Sequence, residues 1–162
     1  MRMRDWVRTA AALALAALCP GEAAAWQVGN WVGRTVHTEN GAFAGCRMSV
    51  SYDTGLTLHF LHLQKGALLI GMSEPGWALD PGGNYRMGLV IDGRFVRRAR
   101  GVVLAGMRNS LFLDLGRDRP TRALLQKGLL LSLADGMRTY DFRLTGTAAA
   151  LERLESCARN GA

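Results

Sequence analysis

The chain has 162 residues, 49% hydrophobic and 20% charged, a globular composition that excludes an intrinsically disordered tract. Twenty glycines against four prolines favour many tight turns and a β-rich chain over a helical bundle. The formal net charge is +7, and past the N-terminus no apolar run is long enough to span a bilayer, which excludes a multi-span membrane protein.

Residues 1–25 read as a cleavable secretory signal. Arg2, Arg4 and Arg8 precede the apolar stretch 9–18, and Ala23, Ala24 and Ala25 supply the small residues for cleavage before Trp26. The expected product is a single domain, residues 26–162, periplasmic or secreted and without a transmembrane span after cleavage. It stays basic, and its cations are almost all arginine, with lysine only at Lys65 and Lys127. A basic exported domain can meet anionic polymers, lipid phosphates or acidic proteins.

Cys19 would leave with the signal, so Cys46 and Cys157 remain. An even count in an oxidising compartment predicts one disulfide between them. Cys46 alternates with Met48, Val50 and Tyr52 on the apolar side of a predicted strand. Cys157 shares a helical stripe with Ala150, Leu151 and Leu154, so both sulfurs point to the core. The bridge closes a loop spanning most of the domain, which stabilises the fold by on the order of 4 kcal/mol.

Between the cysteines the chain reads as strands and turns. Residues 56–63 are apolar on both faces except at His59, which predicts a central strand, and 67–72 form the next. A loop rich in turn formers, 73–84, leads to the alternating Tyr85, Met87, Leu89 and Ile91. Asp92-Gly93 then signals a type I′ hairpin into a strand over 94–104. Leu111, Leu113 and Leu115 predict a short strand, and 120–127 one or two helical turns. Residues 129–133 and the alternating Tyr140, Phe142 and Leu144 predict a second hairpin about Asp135-Gly136. The last helix begins at Thr147, acting as its cap, and stops at Asn160-Gly161. The expected fold is mainly β, an antiparallel sandwich or partly open barrel of about eight strands with one C-terminal helix. Trp26, Trp31 and Trp77 fall in or near loops and the mature N-terminus, with core packing as their expected role.

Candidate chemistry is sparse. His59 and His62 form an H-x-x-H pair, but residues three apart on a strand point to opposite faces, and nothing in the sequence brings His37 to them. No serine sits in a nucleophile elbow, no phosphate-binding loop appears, and Asp92 is explained by its turn. The expectation is therefore a protein that is not an enzyme, with no catalytic residue, metal or cofactor. The strongest candidate surface is a stripe of Arg94, Arg98 and Arg100, which share parity on one strand with Arg97 opposite. Such a stripe can hold a phosphate, a carboxylated polymer or an acidic loop, or simply be a solvated face that discourages edge pairing. Arg117, Arg119 and Arg122 form a looser second group. Nucleic acid is a poor partner, since no aromatic residues interleave with these arginines in the expected pattern.

The C-terminal segment YDFRLTGTAAALERLESC and the hairpin LVIDGR resemble the corresponding parts of the invasion-associated locus B family of small exported proteins. The resemblance implies a periplasmic or surface-associated β protein with no established catalytic residues. The expected function is that of a non-enzymatic exported binding or envelope-associated protein contacting an anionic partner, an envelope component or acidic protein, through an Arg-rich face. The alternative is a proteinaceous inhibitor of a secreted hydrolase, with loop 73–84 as its wedge. A hydrolytic enzyme whose site assembles only in three dimensions ranks last.

Overall fold

The computed structural model describes residues 25–161, and the signal segment expected over 1–25 lies almost wholly outside them. Ten strands form one antiparallel sheet: β1 (Ala25–Val28), β2 (Trp31–His37), β3 (Phe43–Ser51), β4 (Thr57–Leu63), β5 (Leu68–Ser73), β6 (Tyr85–Ile91), β7 (Arg94–Val102), β8 (Ser110–Asp114), β9 (Leu130–Ala134) and β10 (Thr139–Arg143). Two helices accompany them, α1 (Arg119–Lys127) and α2 (Thr147–Asn160). No described helix is long and apolar enough to cross a membrane.

The strand order is β1-β2-β3-β4-β5-β8-β7-β6-β9-β10. The chain meanders through five strands, crosses by loop 74–84 to β6, runs back through β7 and β8, and crosses again by α1 to β9. The sheet curls so that its two ends share one core. Trp31 and Met48 from one end and Phe142 and Leu144 from the other belong to the same buried cluster. Where no ladder joins the ends, side chains do: the Tyr52 hydroxyl donates to the Arg143 carbonyl at 2.7 Å, and the Trp31 indole N–H to the Thr145 carbonyl at 3.1 Å. This is the partly open barrel among the two expected architectures.

The extra strands are β1 and β2. Their alternation is hidden in the sequence because Gly33, on the inner face, has no side chain of its own. The Trp26 ring fills that space, and a Cβ on Gly33 would sit 2.2 Å from it. Trp26 and Trp31 are thus strand residues rather than loop residues, and Trp31 is buried in the core.

The helices follow their caps. Asp118 caps α1 by accepting the Thr121 N–H, Pro120 sits in the first turn, and the helix runs nine residues. Thr147 does not cap α2. Gly146 holds the cap position in the left-handed region at φ 75° with no side-chain cap bond, and Thr147 is buried with its hydroxyl unpartnered. Gly161 ends the helix in the same conformation, its N–H on the Cys157 carbonyl. The helix packs on β3 and β4 and touches β1, β2 and α1. The expected disulfide is present: Cys46 on β3 and Cys157 in the last turns of α2 are joined, with Cα atoms 6.1 Å apart and a sequence separation of 111.

One half of the sheet is covered on both faces. Outside β4, β5 and β8, Leu61, Leu69 and Phe112 form a second buried cluster beneath Leu104 and Met107 from loop 103–109. Phe112 lies flat because Gly71 faces it, and a Cβ there would be 2.5 Å from the ring. Among the described residues, the other half, β6, β7, β9 and β10, carries no such roof.

Candidate functional site

The site expected on β7 is reorganised by one irregularity. Cross-strand partners share a face, and the pairing of β6 with β7 shifts between Leu89 and Val90. Leu89 faces Arg97 and Val90 faces Phe95, so Val96 is the extra residue of a β-bulge and its side chain packs against the core. The slip reverses the parity of everything before it. Arg98 and Arg100 remain together on the outer face, opposite Gly88 and Arg86. Arg94 pairs with Ile91, on the other face, and lines a neighbouring groove with Leu124 and Lys127 that shares Phe95. The three-residue stripe of Arg94, Arg98 and Arg100 is therefore corrected: Arg94 leaves it and Arg86 takes its place.

The bulge also brings Phe95 onto the face of Arg98 and Arg100, 63% exposed. The sequence hid this, because simple alternation assigns Phe95 to the side of Arg97. Gly88 and Ala134, both small, leave a shallow groove bordered by Arg86, Arg98 and Phe95. Among the described residues, Arg86, Arg98 and Arg100 have no carboxylate partner, and Arg86 stands directly opposite Arg100. Like charges so placed oppose folding. A second such pair on the outer face, Arg34 opposite Arg47, differs in that Arg47 is half-buried with its Nη1 3.9 Å from the Met107 sulfur.

Arg97, on the inner side, is structural: it pairs with Asp118 at 3.1 Å. The Asp118 carboxyl sits below the usual carboxylate range, first because the Thr121 hydroxyl and N–H donate to it and then because Arg97 is close. The looser group Arg117, Arg119 and Arg122 meets His62, Glu155 and Arg159 in a cleft of about 270 Å³. Most of its charge is committed. Arg122 and Arg159 share Glu155 at 3.2 and 3.6 Å, and Arg117 donates to the Lys65 carbonyl.

His59 and His62 lie on opposite faces of β4. His59 Nε2 is 2.8 Å from the Ser73 hydroxyl, its Nδ1 is buried without a partner, and burial, with help from Arg47, lowers its pKa to about 4. His62 is on the inner face, its Nδ1 3.0 Å from the Leu63 carbonyl, and burial followed by Arg122 lowers its pKa too. His37, at the exposed end of β2, packs against Phe43. Asp92 is a turn residue at φ 50°, as expected, and its Oδ1 also accepts the Leu129 and Leu130 N–H groups, tying the hairpin to β9.

A cleft walled by aromatic side chains lies outside the sites that the sequence suggests. Strands β5, β6, β8 and β10 open at the barrel end opposite α1, where loop 74–84 crosses the mouth. The loop is pinned by the Glu74 N–H on the Asn109 carbonyl and by Leu79 and Arg108, and Trp77 stacks edge-on against Tyr140 with centroids 5.7 Å apart. Beneath lies a cleft of about 560 Å³ reaching Met72, Met87 and Leu111.

No protein-family model matches the sequence, and no curated protein matches it. Among solved structures, the fold is similar to the crystal structure of invasion associated protein B from Bartonella henselae, at 17% identity and a TM-score of 0.54, over 82% of this chain and 95% of that one. The likeness is one of fold, and it agrees with the fold expected from the resemblance to the invasion-associated locus B family.

Proposed function

We propose that this chain is an exported, non-catalytic binding domain that takes an anionic envelope component on the outer face of β6 and β7. The observation that carries the reading is the group Arg86, Arg98 and Arg100, unpaired among the described residues and set beside the exposed Phe95, with Arg86 against Arg100 at a cost to stability. Arginine beside an exposed aromatic residue is the composition of binding hot spots, and guanidinium groups match phosphate and carboxylate oxygens two at a time. Export rests on the sequence of residues 1–25. For the inhibitor alternative loop 73–84 is rigid enough as a wedge, held at Asn109 and Arg108, but it turns its largest side chains, Trp77 and Leu79, into the cleft.

Co-sedimentation with phosphatidylglycerol vesicles, against phosphatidylcholine as control, tests the face. Binding should fall at least tenfold in Arg86→Gln/Arg98→Gln/Arg100→Gln and stay within twofold in Arg94→Gln. Equal losses from Arg94→Gln would reduce the effect to net charge, and no binding by the wild type would overturn the envelope reading. N-terminal sequencing of the protein from a periplasmic fraction tests export, with Trp26 expected first.

A further inference from the structure

We infer that the mouth of the barrel is a binding site for a small amphiphile, an apolar chain or ring bearing one anionic head group. It is separate from the sheet-face reading and shares only Arg86 with it. The inner face of a barrel is apolar along its length, and its open end is where apolar side chains meet water, a common place for small-molecule sites.

Here the inside of that end, under loop 74–84, is apolar and its rim is polar. Met72, Met87 and Leu111 form the floor, and Trp77, Leu79, Tyr85 and Tyr140 the walls. The volume of about 560 Å³ lies within the range of roughly 300–1,000 Å³ of ligand pockets. Tyr85 is held in place, its hydroxyl accepting the Asp80 N–H at 2.9 Å. Two polar atoms on the walls have no protein partner among the described residues, the Trp77 indole N–H and the Tyr140 hydroxyl, so both are free to donate to a ligand.

The rim sets the sign of the head group. Arg86 and Arg138 stand there without a carboxylate bridge among the described residues. The one rim carboxylate, Asp135, is turned to its own hairpin: Oδ1 accepts the Met137 and Arg138 N–H groups at 2.7 Å each. Met137 is 92% exposed beside them, a flexible thioether placed to fold over an apolar guest. Two guanidinium groups above an apolar, aromatic-walled cleft suit an amphiphile with a carboxylate or phosphate head, whether a free fatty acid or a single-chain phospholipid.

Dodecanoate brominated near its chain end, which quenches tryptophan emission on contact, tests the site on the full chain. Saturable quenching is expected in the wild type. It should disappear in Trp77→Phe while displacement of anilinonaphthalene sulfonate shows that the probe still binds. Arg86→Gln/Arg138→Gln should weaken dodecanoate about tenfold and leave dodecanol unchanged. Lysophosphatidylglycerol competing with the probe would assign the phospholipid source, and failure to compete the free acid. Quenching that is unsaturable or survives in Trp77→Phe would overturn the inference, as would equal losses for acid and alcohol. Arg98→Gln/Arg100→Gln should leave the quenching intact, so failure here is distinguishable from failure of the sheet-face reading.

Discussion

Phe95 and Phe112 stand on the same outer face of one sheet, on the neighbouring strands β7 and β8, and meet opposite fates. Phe112 is fully buried, laid on Gly71 and roofed by Leu104 and Met107, whereas Phe95 is 63% exposed beside arginines. The half of the barrel around Phe112 also carries α2 and the disulfide. The outer face around Phe95 has no such roof, and among the described residues its arginines, Arg86, Arg98 and Arg100, have no carboxylate partner. One half buries its outer face and the other leaves arginines and an aromatic ring in water. Under the binding reading proposed above, the two tasks are kept apart because a surface cannot be optimised for burial and for binding at once.

The contrast can be broken at several points. Replacing both Cys46 and Cys157 by Ala should cost on the order of 4 kcal/mol in urea unfolding, since a loop of 111 residues regains its freedom in the unfolded chain. A loss below about 1 kcal/mol would mean that the stapled half holds without its staple. The phenylalanines give the direct test: Phe112→Ala should cost about 3 kcal/mol, and Phe95→Ala less than about 0.5 kcal/mol. Similar losses at the two positions would erase the distinction.

His59 makes the covered half sensitive to acid. Its pKa in the folded state is lowered to about 4, below the ordinary 6.5, so the unfolded chain binds the proton more readily. The neutral imidazole's contribution is intact above about pH 6.5 and is lost as the pH falls toward 4, at up to about 1.4 kcal/mol per pH unit. His59→Gln should flatten the thermal stability profile between those values, and an unchanged profile would assign the acid sensitivity elsewhere. The smallest effect sharpens the open half. Arg100→Gln should raise stability by about 0.3 kcal/mol by relieving the charge opposite Arg86, while weakening vesicle binding. A variant that loses stability would show that Arg100 serves the fold.

The covered half was the more legible of the two. Cys46 and Cys157 each lie on an apolar stripe, so their pairing could be read before any distance was known. The hairpin at Asp92-Gly93 and the helix ending at Gly161 were legible for the same reason, because residues within a few positions of one another set the geometry. On the outer face of β7, simple alternation fails through one residue. Alternation assigns Arg94 to the side of Arg98, and the extra residue at Val96, whose side chain packs against the core, undoes it. Strands β1 and β2 were missed because the side chain filling the place of Gly33 comes from Trp26, on the neighbouring strand.

Periodicity and cysteine parity, then, were enough for a mainly β domain, its disulfide and its closing helix, since patterns of period two and 3.6 are local consequences of backbone geometry. Only the tertiary structure decided the open barrel, the roof over Phe112, the company of Arg86 with Arg98 and Arg100, and the cleft beneath Trp77. Each of these depends on contacts between strands far apart in sequence, where a one-residue slip or a missing Cβ redirects a whole face.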